Sequence, residues 1–148
     1  DVAIDPESRR NILYVKQAYM RLAGSLLSDG RTSDAVAVMD KCIEFFPNDK
    51  LPFDRYMLSF VDMYYQAGEM EKGDALVNAI AENAVDNLRY YSSLTSKFKT
   101  YYSDYIREDL SILQNLVSIS NVYKRYQLKL EVEKLFNEQY GNLYMYIK

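Results

Sequence analysis

The sequence contains no histidine and a single cysteine, Cys42. The commonest general base and the commonest metal ligand are therefore missing, and one thiol cannot close an intrachain disulfide. Metal binding would fall to carboxylates alone, and no calcium-loop spacing of acidic residues occurs. Phosphate-cradling glycine loops are lacking too, because the five glycines are dispersed as punctuation between periodic stretches. Neighbouring carboxylates such as Glu69 with Glu71 and Glu131 with Glu133 fall on polar helical turns, where a solvated face is their expected role. A glycosidase pair must instead flank a sugar bound in a cleft. No catalytic residue, metal ligand or cofactor is expected, and enzyme activity is not.

Proline is scarce as well, with three residues in 148, which favours long helices over a many-turned all-β fold. No apolar run approaches the ~18 to 20 residues of a membrane span, and no signal-peptide pattern opens the chain. The net charge is −3 and only Arg9-Arg10 and Lys124-Arg125 are adjacent basic pairs, so nucleic acid is not an expected partner. What is present, 49% hydrophobic and 14% aromatic residues, suits one domain able to bury a core. The first residue is Asp1 rather than methionine, which suggests a piece of a longer protein.

Asp5-Pro6 reads as an N-cap followed by proline at the first helical position. Ile12, Val15, Tyr19, Leu22, Ala23 and Leu26 then recur at helical spacing. Asp29-Gly30 stops that helix, and Ala35, Val38, Met39, Cys42, Ile43 and Phe46 form the stripe of the next until Pro47. The same plan returns after Pro52: Phe53, Met57, Phe60, Val61 and Tyr64, a turn at Ala67-Gly68, then Gly73, Leu76, Val77 and Ile80. Gly30 and Gly68 are 38 residues apart, within the range of internal helical repeats. The second stripe lacks a proline, with Val85 in its place, so that helix can run on through Tyr90 toward Ser92-Ser93. A loop is expected over about Ser92 to Ser103. From about Asp104 a third pair is readable, with Ile106, Leu110, Leu113, Leu116, Val117, Ser120 and Tyr123 on one helix. Leu130, Val132, Leu135, Phe136, Tyr140 and Leu143 mark the other.

Residues 16 to 49 resemble a tetratricopeptide repeat without a gap. Tyr19, Leu22, Ala23, Leu26, Gly30, Ala35, Met39, Cys42 and Pro47 stand at its signature aromatic, leucine, small, large, turn, small, large, small and proline positions. Residues 54 to 87 fit the same frame more loosely. The third pair can be set in it only with Gln127 where the turn glycine belongs, which suggests a divergent repeat or a capping hairpin. The resemblance implies an all-α, tetratricopeptide-like right-handed superhelix of about six helices, in antiparallel hairpins over about 6–46, 53–91 and 104–147. It also explains why Ala35 and Cys42 are small: helices cross closely there, and a bulkier side chain would overpack by roughly 1 to 3 kcal/mol.

Such arrays commonly bind peptide segments in a concave groove lined by the first helix of each hairpin. On this register the groove positions are Gln17, Met20, Arg21, Gly24 and Leu27, then Arg55, Leu58, Ser59, Asp62 and Tyr65. The lysine and asparagine clamp of the chaperone-tail binders is replaced by Met20, Gly24, Leu58 and Asp62, so an extended peptide or a segment of the parent protein is the implied partner. The runs MDKCIEFFPNDKLPFDRYML, YYQAGEMEKGDALV and LRYYSSL also resemble the C-terminal tail of large bacterial multi-pass membrane proteins whose membrane part is similar to protein O-mannosyl-type glycosyltransferases. That resemblance implies a tail on the periplasmic face; a free-standing cytoplasmic adaptor is the alternative.

The leading expectation is thus a helical-repeat interaction module for protein or intramolecular docking. The alternative is an accessory domain that binds carbohydrate or acceptor glycan through the tyrosine-rich half. Fifteen tyrosines are the one compositional excess. The carbohydrate reading requires Tyr65, Tyr90, Tyr91, Tyr101 and Tyr102 to stand exposed in one concavity.

Overall fold

Asp5 opens the first helix by accepting the N–H groups of Glu7 and Ser8 at 3.0 Å, with Pro6 pre-set for the first turn. The computed structural model describes residues 4–148. Helix α1 spans Pro6–Ser28 and α2 spans Thr32–Phe45, where Pro47 prevents continuation. A 3-10 turn at Arg55–Met57, capped by Asp54, leads into α3 (Leu58–Gln66). Helix α4 (Met70–Ser93) meets Val85 where a proline would have stopped it, and continues two further turns. Then come α5 (Ser96–Tyr101), α6 (Ser103–Val122), α7 (Tyr126–Leu143) and a closing 3-10 turn at Tyr144–Tyr146. The described residues therefore hold seven α-helices and no strand, and none of the helices is long and apolar enough to cross a membrane.

The seventh helix is α5, which occupies the stretch expected as a loop over Ser92 to Ser103. Its ladder is short, yet Tyr102 at its end stacks on Tyr91 of α4 at 5.4 Å and meets Tyr105 of α6 edge-on at 5.9 Å. Those ring contacts anchor a turn whose own propensity is modest.

Three helix ends share one geometry. In each, a residue with positive φ follows the helix, and the next N–H reaches back five residues: Arg31 to the Leu26 carbonyl at 2.8 Å, Glu69 to Tyr64 at 2.9 Å, and Arg125 to Ser120 at 2.8 Å. The positive-φ residues are Gly30, Gly68 and Lys124. This is the reversal in which glycine is ordinarily required. The third turn is thus centred on Lys124 rather than Gln127, three residues earlier than the repeat frame places it, and no glycine signals it. A lysine at φ 59° pays the Cβ penalty that glycine avoids. Lys124→Gly is expected to stabilise the fold by roughly 0.5 to 1 kcal/mol, read as a higher urea midpoint at unchanged slope.

Each of these turns reverses the chain, so that α1 packs on α2, α3 on α4 and α6 on α7. The first members of the pairs also adjoin, α1 against α3 and α3 against α6, while α4 lies against both α6 and α7. One continuous core results, from Ala23, Met39 and Cys42 through Phe60, Tyr64 and Leu88 to Leu113, Leu116 and Leu143. Ala35 and Cys42 are fully buried. Burial pushes the Cys42 thiol up to about 11, consistent with a small packing residue rather than a nucleophile.

Four of the stripe residues are exposed. Val15 and Leu22 of α1 are 44% and 49% exposed, whereas Phe53 and Phe60, 38 residues later, are 7% and 0% exposed. The second pair has the first pair to cover it; no described residue covers the same face of α1. Leu130 and Tyr140 of α7 face outward for the corresponding reason at the other end.

Candidate functional site

Because α1, α3 and α6 lie side by side, their faces turned away from α2, α4 and α7 can form a common trough. Such a trough exists beside the middle of α1, the start of α3 and the first part of α6, with a volume of ≈ 730 Å³. Gln17 and Met20 of α1 form one wall, Arg55, Tyr56, Leu58 and Ser59 the next, and α6 supplies the third through Asp104, Arg107, Glu108, Ser111, Ile112 and Asn115. Met20, Leu58 and Ile112 make its apolar strip.

The charges in the trough satisfy one another. Arg55 pairs with Glu108 at 3.3 Å and leans over the Tyr56 ring at 4.9 Å. Arg107 pairs with Asp104 at 2.7 Å and donates to the Ile147 carbonyl at 3.2 Å. Exposed pairs of this kind contribute little stability. Their consequence here is that neither arginine offers a free charge, and the polar groups left for a ligand are neutral ones such as Gln17, Ser59 and Ser111. Asn115 already donates to the Ser111 carbonyl at 2.8 Å, which leaves its side-chain oxygen available.

Of the ten groove positions carried over from the repeat, five line this trough: Gln17, Met20, Arg55, Leu58 and Ser59. The other five do not. Arg21 is exposed outside it, and Leu27 is half-buried against the core. Gly24 lies against α3, where a Cβ would meet the Met63 sulfur at 4.0 Å. Asp62 accepts the Tyr123 hydroxyl at 2.7 Å and the Gln66 amide at 2.6 Å. Tyr65 is buried, with its ring 4.9 Å from that of Tyr123 and its hydroxyl donating to Asp74 at 2.7 Å. Arg125 completes the closure, its Nε donating to Asp74 at 3.0 Å and its Nη2 pairing with the other carboxylate oxygen.

The C-terminal end of α6 and its turn thus seal the half of the trough that the repeat frame leaves open. Burial works against the charge on Asp74, but the Arg125 guanidinium and the Tyr65 hydroxyl outweigh it and hold the carboxyl below the usual range. The α6 wall was beyond the sequence reading, since Ser111, Ile112 and Asn115 carry no signal except their place on a helix that must pack somewhere.

The tyrosine-rich half divides in two. Tyr90, Tyr91, Tyr101, Tyr102 and Tyr105 form an edge-to-face and stacked cluster at the junction of α4, α5 and α6, with Tyr90, Tyr101 and Tyr105 exposed. Tyr65 is buried elsewhere, on Tyr123. The five tyrosines of the carbohydrate reading therefore do not share one concavity. Comparison of the chain with protein families, curated proteins and solved structures gives no match.

Proposed function

We propose that the chain is a non-catalytic helical-repeat module whose α1–α3–α6 trough docks an extended peptide segment, from a partner or from the parent protein. The observation that carries this reading is the convergence of three helices, far apart in sequence, on one trough with an apolar strip and self-neutralised charges. The three equivalent turns and the side-by-side first helices support a tetratricopeptide-like arrangement in which the third hairpin has diverged. An extended peptide fits such a surface because its side chains can enter at Met20, Leu58 and Ile112 while its backbone meets the neutral amides and hydroxyls.

The test is selection of random 12-residue peptides displayed on phage against the wild-type chain, followed by anisotropy titration of the enriched sequences. Leu58→Asp places an unpaired charge on the apolar strip and is expected to weaken them about tenfold or more, about 1.4 kcal/mol or above. Leu22→Asp, on the outer face of α1, is expected to leave them unchanged. Enriched peptides that bind Leu58→Asp as well as wild type would refute the trough.

A further inference from the structure

A second cavity of ≈ 720 Å³ opens on the other side of Tyr56, between the first half of α1 and the segment joining α2 to the 3-10 turn. Its walls are apolar, with Ile12 and Leu13 of α1 facing Leu51 and Pro52. Among the described residues its charged groups are of mainly one sign: Arg9, Lys16 and Lys50 line it, against the single carboxylate of Asp54. Asp54 is occupied in capping the 3-10 turn, where it accepts the Tyr56 N–H at 3.0 Å.

Lys16 is the unusual member. It is 8% exposed, in the middle of α1, and lines the cavity. Among the described residues no carboxylate pairs with it, and its Nζ finds only the face of the Phe46 ring, 5.9 Å from the centroid. A cation over an aromatic face recovers part of what burial costs a lysine, and the N–H donors that the ring does not meet open on the cavity. Arg9 donates its Nε to the Ile4 carbonyl at 3.0 Å and forms no ion pair with a described residue, so its terminal nitrogens remain. Cationic donors without a partner among the described residues, beside an apolar hollow, suit a ligand that presents acceptors and an apolar body together.

We propose that this cavity binds an amphipathic carboxylate, its anionic group held by Lys16 and Arg9 and its apolar part lying against Ile12, Leu13 and Leu51. The inference does not depend on the peptide trough, with which the cavity shares only the Tyr56 side chain.

The experiment is calorimetric titration of the full chain with two acids and their neutral counterparts: octanoate against octanol, and N-acetyl-leucyl-phenylalanine against its amide. The expected result is that at least one acid binds about tenfold or more tightly than its neutral counterpart, a charge-assisted contribution. The tighter acid of the two tells a free fatty acid from the end of a peptide chain. Lys16→Met is expected to abolish the discrimination and Arg9→Gln to reduce it several-fold, while Leu58→Asp leaves it intact. Thermal melts verify that each variant is folded, and the exposed Arg9→Gln keeps the test decisive if Lys16→Met is not. The proposal is overturned if acids and neutral counterparts bind alike, if no acid registers at millimolar concentration, or if Arg9→Gln and Lys16→Met both bind as wild type.

Discussion

Asp109→Asn is expected to stabilise the protein above neutral pH by several kcal/mol and to do almost nothing near pH 4. Asp109 sits on α6, buried against α4, and among the described residues its one hydrogen bond is from the Asn87 amide at 3.5 Å, the outer limit of such contacts. No cation pairs with it among the described residues. Burial, aided by nearby Glu108 and only partly opposed by Asn87, pushes its carboxyl up from 3.8 to about 7. Between these two values the folded state holds the proton that the unfolded state has released. Its stabilising contribution is therefore complete below about pH 4 and is lost as the pH rises through about 7.

With each tenfold difference in proton affinity worth about 1.4 kcal/mol, the cost of the carboxylate above pH 7 is about 2 to 4 kcal/mol. Asparagine keeps the shape and the neutral state at every pH. Urea unfolding of both proteins at about pH 4.5, 6 and 8 measures the difference, which should grow steadily with pH. A difference independent of pH, or a variant less stable at pH 8, would remove this explanation of the buried carboxyl.

The second large effect concerns two glycines in helix interiors that should respond oppositely to the same substitution. A Cβ on Gly73 would stand 2.4 Å from Cε1 and 2.6 Å from Cδ1 of Tyr65, inside any tolerable contact. The ring cannot yield easily, because its hydroxyl is bonded to Asp74 and its face lies on Tyr123. Gly73→Ala gains about 1 kcal/mol of helix propensity but overpacks this junction and strains or breaks a buried hydrogen bond, for a net loss of about 2 to 3 kcal/mol. In a domain of this size that is a fall in Tm of roughly 5 to 10 °C. Gly24→Ala meets only the Met63 sulfur at 4.0 Å, an ordinary contact, and should be neutral or stabilising by up to about 1 kcal/mol. Calorimetric melts of the two variants side by side test the account, and a stabilised Gly73→Ala would mean that Tyr65 is not held where the structure places it.

That junction also marks how far the sequence could be read. Helices α1 to α4 follow from their apolar spacing, and the glycines at 30 and 68 announce their turns. Lys124 adopts the same conformation without the residue type that would reveal it, so the apolar spacing finds α6 and α7 while the repeat frame sets the turn between them three residues late, at Gln127. The small residue at position 73 is visible in the sequence as the counterpart of Ala35. Its reason, the packed ring of Tyr65, depends on contacts with residues 123 and 125 that no local pattern encodes.

The trough divides along the same line. Positions 17, 20, 55, 58 and 59 line it beside the middle of α1 and the start of α3, where the three helices leave space. Positions 62 and 65 lie where α6 and its turn close in, which is decided by hydrogen bonds spanning 61 and 51 residues, from Tyr123 to Asp62 and from Arg125 to Asp74. The exposed faces of Val15 and Leu22 carry the complementary lesson, since a helical stripe specifies a face that can be covered but not that something covers it.

The most direct test of the central claim is a methyl NMR titration of the isotope-labelled chain with the tightest peptide from the phage selection. Met20, Leu58 and Ile112, on three different helices, are expected to shift together with one affinity while Val15 and Leu22 stay still. Shifts confined to Val15 and Leu22, or to the tyrosine cluster of α4, α5 and α6, would contradict it and place the binding surface elsewhere on the molecule.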